Sequence, residues 1–284
     1  MKKIQVNSNF DNKNVSDLIY YYYPNLNPNQ LFKAFRKKDI RINNIKINKD
    51  SKLSAGDEVT IYIIDSILEG ERKIPIVYED DYILVVNKPE SINVVDEDDT
   101  YTLTKALKKL YGNQIEPCHR IDRNTKGLVI FAKNQEALLE MQQLFKNHKI
   151  EKYYLARVSG IFNQKKAIVK SYLFKDSKKS MVYISDLPKD GYKEIVTEYS
   201  VLFEDKKNNS SILEILLHTG RTHQIRAHLA HIGHPIIGDG KYGDNQINKK
   251  FERKSQDLYS YKLKFTLYDK EYEIQLPNYE KIFS

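Results

Sequence analysis

The chain has one cysteine, Cys118, in 284 residues, which excludes an internal disulfide and fits a reducing compartment. No apolar run approaches the roughly 20 residues of a membrane-spanning helix. The stretch Met1-Lys2-Lys3-Ile4-Gln5 lacks the apolar core of a signal peptide. A cytoplasmic protein with no membrane partner is therefore expected. The HExxH pattern of zinc proteases is missing, and five of the seven histidines (His218, His223, His228, His231, His234) crowd one stretch without a carboxylate among them. No metal is expected. What is present, 40% hydrophobic and 30% charged residues, is ordinary for a globular chain, long enough for one large core or two unequal domains.

The formal charge is +8, and it is unevenly spread. Residues 1–64 hold 11 Lys or Arg against 6 Asp or Glu, leaving 35 against 32 for the other 220 residues. A basic first quarter suggests a polyanion-binding module, since phosphate contacts supply much of nucleic-acid affinity; a general excess of Lys, Asn and Ile explains it equally well. Within this segment Asn27-Pro28 predicts a helix start, with Leu31, Phe32 and Phe35 as its apolar face and Lys33, Arg36, Lys37 and Lys38 on the other side. Residues 40–47 alternate around Asn43-Asn44 and predict a hairpin carrying Arg41. Leu53-Ser54-Ala55-Gly56-Asp57-Glu58-Val59 leads into a strand over 60–64. Tyr20 to Tyr23 would spread round a helix and mostly pack. Helix, hairpin and L-x-x-G-D-x-V turn in this order resemble the small S-four-type RNA-binding domain. The resemblance implies RNA contacts from Lys33, Arg36, Lys37 and Arg41. Residues 66–73 are charged and unpatterned and are expected to be a linker.

Beyond it, residues 82–89 predict a buried strand closed by Lys88-Pro89. Asn134 should cap a helix with Leu138, Met141, Leu144 and Phe145 on its inner face. Lys152 to Gly160 predict a strand on which Tyr153 and Tyr154 face opposite ways. Strands over 194–203 and 212–218 form a hairpin round Lys206-Lys207-Asn208-Asn209. Residues 258–276 form two closing strands round Asp269-Lys270, expected to supply architecture and no chemistry.

Three polar segments punctuate these strands. The first is Cys118-His119-Arg120-Ile121-Asp122-Arg123-Asn124-Thr125-Lys126-Gly127, followed by an apolar run to Ala132 and Lys133. Asp122 is its one carboxylate, and the flanking Arg120 and Arg123 favour its ionised form, which suits a nucleophile or general base; a solvated surface ion pair is the plainer alternative. The kinase catalytic loop is excluded, because Ile121 separates arginine from aspartate, Asn124 follows too closely, and no glycine-rich loop precedes it. The others are Lys152-Tyr153-Tyr154-Leu155-Ala156-Arg157-Val158 and Thr219-Gly220-Arg221-Thr222-His223-Gln224-Ile225-Arg226-Ala227-His228.

Together these segments resemble the motifs HRLDxxTSGLLLxAK, KxYxAxV and TGRTHQIRxH of the RluA-type pseudouridine synthases. Two departures stand out: Lys126 replaces the usual serine, and residues 90–95 lack the glycine and histidine that follow the family's Lys-Pro. The resemblance implies isomerisation of uridine to pseudouridine in RNA without a cofactor. It assigns Asp122 as nucleophile, Arg226 as its partner and Tyr154 against the target base, where it takes part in moving the proton from carbon 5. Arg120 would fill the stack vacated by a flipped base, and Arg221 and His223 would contact RNA. Ribosomal RNA is expected ahead of transfer RNA, met by a monomer. The implied fold is α+β: a small basic N-terminal α/β domain over 1–65, a linker over 66–73, and a larger domain over 74–284 with a mixed, mainly antiparallel β-sheet flanked by helices. An RNA-binding protein whose synthase domain has lost activity is the alternative, and the two departures favour it.

Overall fold

The computed structural model describes residues 1–23, 26–68, 74–99 and 102–283, and the chain divides into two compact units, Met1–Lys73 and Ile74–Ser284. The first contains β1 (Lys2–Gln5), α1 (Val15–Tyr22), α2 (Pro28–Lys37), β2 (Ile40–Ile42), β3 (Ile45–Ile47), β4 (Glu58–Ile61) and the single turn α3 (Asp65–Leu68). Its strands form one antiparallel sheet in the order β1-β4-β2-β3. α2 starts where Asn27-Pro28 predicts: the Asn27 side chain accepts the Asn29 N–H at 2.9 Å and Pro28 opens the helix. Leu31 and Phe35, one turn apart, are buried, but Phe32, expected on the same face, is 62% exposed. A step of one residue rotates a side chain about 100° off that seam. Asn43 and Asn44 both have positive φ (48° and 65°), as a two-residue hairpin turn requires.

Three expectations shift here. β4 runs over Glu58–Ile61 and not 60–64, because it pairs residue for residue with the short β1. Residues 66–68 of the expected linker belong to α3, with Leu68 fully buried in this unit's core; 69–73 lie outside the described residues. Of the tyrosine tetrad, Tyr20 and Tyr23 pack against the core while Tyr21 and Tyr22 are exposed.

The second unit contains β5 (Ile76–Glu79), β6 (Ile83–Lys88), α4 (Leu103–Tyr111), β7 (Glu116–Pro117), β8 (Lys126–Ala132), α5 (Gln135–Lys146), β9 (Glu151–Ser159), β10 (Lys166–Asp176), β11 (Met181–Ser185), β12 (Lys193–Asp205), β13 (Ser210–Leu217), α6 (Gln224–His231), α7 (Asn245–Lys250), β14 (Leu258–Leu267) and β15 (Lys270–Gln275). One eleven-stranded sheet runs β11-β10-β12-β13-β9-β14-β8-β6-β5, with β15 on β14 and β7 on β8. Every pairing is antiparallel except β14 with β8, so the expected mixed, mainly antiparallel sheet is what forms. β8, buried along nearly its whole length, lies at the centre of this half. Gly127 has φ 113°, and a Cβ there would collide with the Ser260 carbonyl of β14, so the parallel contact requires glycine. α5 is capped by Asn134 and buries Ala137 and Met141. α4, α7, β5, β7, β10 and β11 lie where no element is expected from the sequence. In α4, Thr102 caps a helix whose Leu103, Ala106 and Leu107 are buried, with Lys108 and Lys109 in its last turn.

Candidate active site

The loop 118–125 is fastened at both ends. At its start the Cys118 N–H donates to the Ile130 carbonyl (2.9 Å), and Nε2 of His119 accepts the Ile130 N–H (3.0 Å). Burial, then the charge of Lys152, lowers the His119 pKa to about 3, so this histidine is a neutral strut. At its end Thr125 is buried, and its hydroxyl accepts from Gln256 Nε2 at 2.8 Å. From beneath, Lys88 donates to the carbonyls of Arg123 (2.8 Å), Ile92 (2.9 Å) and Pro89 (2.8 Å). A lysine with no exposure and three carbonyl acceptors ties the loop 89–92 to the loop that carries Asp122.

Asp122 sits at the apex, its side chain 24% exposed, and its Oδ2 accepts from Arg226 Nη1 at 2.9 Å. Arg226 stands in the first turn of α6. The turn before the helix is held by buried Gln224, whose Oε1 accepts from Thr219 Oγ1 (2.8 Å) and Arg221 N (3.1 Å) while its Nε2 donates to Val196 O and Thr197 Oγ1 on β12. The other edge of the guanidinium is fully used: Nε and Nη2 donate to Oδ2 and Oδ1 of Asp239 at 2.7 and 2.9 Å. Burial opposes the Arg226 charge, but Asp239 and then Asp122 hold its pKa above the ordinary value.

Asp239 has no place in the sequence analysis, and it is the most constrained residue of the site. It is fully buried, and Oδ1 also accepts the N–H groups of Lys241 (2.8 Å) and Tyr242 (3.1 Å). Burial raises its pKa, yet Arg226 and these N–H groups bring it below the usual carboxylate range. Asn248 of α7 clamps the turn, accepting from Gly238 N and donating to Asp239 O. A carboxylate after Pro235-Ile236-Ile237-Gly238, an apolar run ended by glycine, was the available signal.

Asp122, Gln224 and Arg226 line a cavity of about 430 Å³, with Asp239 outside its lining, within the range of small-ligand sites. Tyr154 on β9 forms another wall; it is buried, and burial, then Asp122, raises its pKa. Arg120 and Arg221, both exposed, and His223 also line it. Nδ1 of His223 lies 2.9 Å from Tyr242 Oη, which itself accepts the Val182 N–H. Leu258 reaches the cavity too, and Ser260 pairs with Tyr154, so β14 shapes the site, contrary to the purely architectural role expected of it.

Lys33, Arg36 and Lys37 are exposed on α2 of the first unit, whereas Arg41 is half-buried with its guanidinium 4.6 Å from the Tyr62 ring centre. The crowded histidines take separate partners: His218 with Glu198, His228 with Thr197 and Ser171, His231 with Asp186, His234 with the Ser159 carbonyl. Among the described residues no three His, Cys, Asp or Glu side chains stand together as a metal-binding group, and no helix is long and apolar enough to cross a membrane.

The two departures meet in space. Ser91, at the expected glycine, has φ 63° and keeps the left-handed turn. Lys126 lies 3.5 Å from Glu90 and 4.5 Å from the Tyr259 ring centre, and Glu90 also accepts from Ser255. Lys126 and the altered loop are thus joined by an ion pair behind the site.

A fixed carboxylate opening on a cavity walled by an aromatic ring can deliver an oxygen nucleophile to a flat substrate stacked on that ring. The family model described as RNA pseudouridylate synthase matches residues 82–231, and the chain belongs to this family. It is an RNA pseudouridine synthase, an isomerase. It is 31% identical to the ribosomal large subunit pseudouridine synthase C of Buchnera aphidicola subsp. Baizongia pistaciae, over 86% of this chain and 82% of that one. It is 32% identical to an uncharacterised RNA pseudouridine synthase of Mycoplasma pneumoniae, over 91% and 86%. Among solved structures, human RNA Pseudouridylate Synthase Domain Containing 1 superposes with a TM-score of 0.63 at 25% identity, covering 72% of this chain and 84% of that one.

Proposed function

We propose that this protein, a cytoplasmic monomer, converts specific uridines of large-subunit ribosomal RNA to pseudouridine, with Asp122 as nucleophile. The observation that supports this most is the arrangement of Asp122, Arg226 and Tyr154 round one cavity, with the carboxylate oriented by a guanidinium that Asp239 immobilises. Large-subunit ribosomal RNA is the substrate class in the name of the Buchnera relative. The target uridine leaves its stack at a cost of roughly a few kcal/mol, with the Arg120 guanidinium taking its place, and its ring lies on Tyr154. Asp122 bonds to the nucleoside as the bond from sugar carbon 1′ to ring nitrogen 1 breaks, the uracil turns, carbon 5 bonds to carbon 1′ as the Asp122 oxygen is released, and the carbon 5 proton leaves with the help of Tyr154 while nitrogen 1 takes a proton from solvent. Each group named belongs to this chain. Arg221 and His223 contact the RNA at the rim, and the first unit, an S-four-like domain, adds phosphate contacts from Lys33, Arg36, Lys37 and Arg41. The exposed positions of Lys33, Arg36 and Lys37 suit that role.

The test is tritium release from total RNA labelled at carbon 5 of uracil and taken from cells lacking the protein. Wild type is expected to release tritium and Asp122→Ala none; equal release by both refutes the role of Asp122. Against the inactive-module reading, Ser91 keeps a left-handed backbone where the family has glycine and Lys126 is paired with Glu90.

A further inference from the structure

Two lysines among the described residues are buried, and they differ in one respect. Lys88, with no exposure, meets three carbonyl oxygens, one for each N–H of an ammonium. Lys152, 7% exposed, has among the described residues one hydrogen bond, to the Ile150 carbonyl at 3.1 Å, and no carboxylate within ion-pair distance. Lys152 lines the cavity. Burial pulls its pKa below the ordinary lysine value, the signature of a charge held at a cost. Its neighbour His119 offers no relief, because it spends Nε2 on the Ile130 N–H and, being neutral, carries its own proton on the nitrogen that remains. Lys152 and Tyr154 stand two residues apart on β9, so they point to the same face and into the same cavity.

We propose that Lys152 is a further catalytic residue, whose ammonium receives a carbonyl oxygen of the target uracil and stabilises the negative charge that the ring takes on when it leaves the sugar. This rests on the synthase reading. When the bond between carbon 1′ and ring nitrogen 1 breaks, its electron pair goes to the uracil, and the charge spreads over nitrogen 1 and the two carbonyl oxygens. No proton transfer is needed: the ammonium stays protonated and its free N–H groups strengthen their bonds as charge develops. Asp122 cannot provide this, being negative, and Arg226 is committed to two carboxylates. The depth of Lys152 favours a base oxygen over a phosphate, because the backbone of a strand with one flipped nucleotide stays near the surface.

The experiment compares wild type, Lys152→Met and Asp122→Ala by single-turnover tritium release from the labelled total RNA at saturating enzyme. RNA affinity at several salt concentrations and thermal melting are measured alongside. Lys152→Met is expected to slow release about a hundredfold, the effect of removing one preorganised charge donor. Affinity should change less than threefold, and melting should be no lower than wild type, because an under-satisfied buried charge has been replaced by an apolar chain. A second arm uses RNA in which 5-fluorouracil replaces uracil, followed by nucleoside chromatography: the fluorinated anion is intrinsically more stable, so the deficit of Lys152→Met should shrink. Unchanged release by Lys152→Met refutes the proposal. So does an unchanged saturated rate with weakened binding and a salt slope lower by about one, which is the behaviour of a phosphate contact. A variant that melts well below wild type and stays equally slow on both RNAs shows a structural lysine and also refutes it. If wild type itself releases no tritium, the synthase reading fails and takes this inference with it; release by wild type with none by Asp122→Ala leaves Lys152 as the only point at issue.

Discussion

Arg226 is shared by two carboxylates of unequal burial, and its stability contribution should follow Asp239 while activity follows Asp122. Asp239→Asn turns an amide N–H₂ toward a buried guanidinium that made two charge-assisted bonds of 2.7 and 2.9 Å. Breaking one side of a buried pair costs about 3–5 kcal/mol. Arg226→Met should cost a similar amount, leaving Asp239 buried with the backbone N–H groups of Lys241 and Tyr242. The double variant has neither orphan, so its loss should fall short of the sum by at least about 2 kcal/mol. Asp122→Asn forfeits one bond at a partly exposed site and should cost about 1 kcal/mol or less, yet abolish tritium release. The assay is urea unfolding followed by circular dichroism or tyrosine emission, since the chain has 21 tyrosines and no tryptophan. Because there are two compact units, the transition of the second must be resolved. A loss below about 1 kcal/mol for Asp239→Asn, or strict additivity in the double variant, would refute the view that Asp239 anchors the arginine.

Buried His228, its pKa lowered to about 4 by burial and then by His231, is neutral in the fold, while the unfolded chain protonates near 6.5. Its contribution is whole above pH 6.5 and shrinks as pH falls toward 4, by about 3 kcal/mol at most; unfolding free energies at pH 7.5, 5.5 and 4.5 should show wild type losing its advantage over His228→Gln. Lys126→Ser, which restores the usual serine and removes an ion pair of partly exposed groups, should change stability by less than about 1 kcal/mol and tritium release by no more than a few-fold. Arg36→Gln with Lys37→Gln should weaken RNA binding and reduce its salt slope by about one to two with no change in melting temperature, because both side chains are exposed.

Local chemistry was legible wherever a few adjacent residues decide the outcome. Asn27-Pro28 opened α2, Asn43-Asn44 turned a hairpin, Asn134 capped α5, an apolar run closed by Lys88-Pro89 showed β6, and strand patterning showed β9, β12 and β13. The three polar segments led to Asp122, Tyr154 and Arg226 only through their resemblance to the RluA-type motifs, and the fold gathers the three residues round one cavity. What the linear pattern could not carry was partnership across the sheet. Asp239 is thirteen residues from Arg226, and the apolar run before it marks a buried turn without saying which charge its carboxylate meets. The burial of Lys88 and Lys152 follows from the packing of their strands, which spacing along the chain does not reveal. Leu258 reaches the cavity because β14 lies between β9 and β8, an order set by long-range pairing. Composition and motif thus determined that the chain is an α+β protein with a carboxylate at the head of a buried strand. Tertiary structure decided which charges are satisfied and which are left facing the cavity, since the energy of a buried charge depends on neighbours that sequence spacing does not reveal.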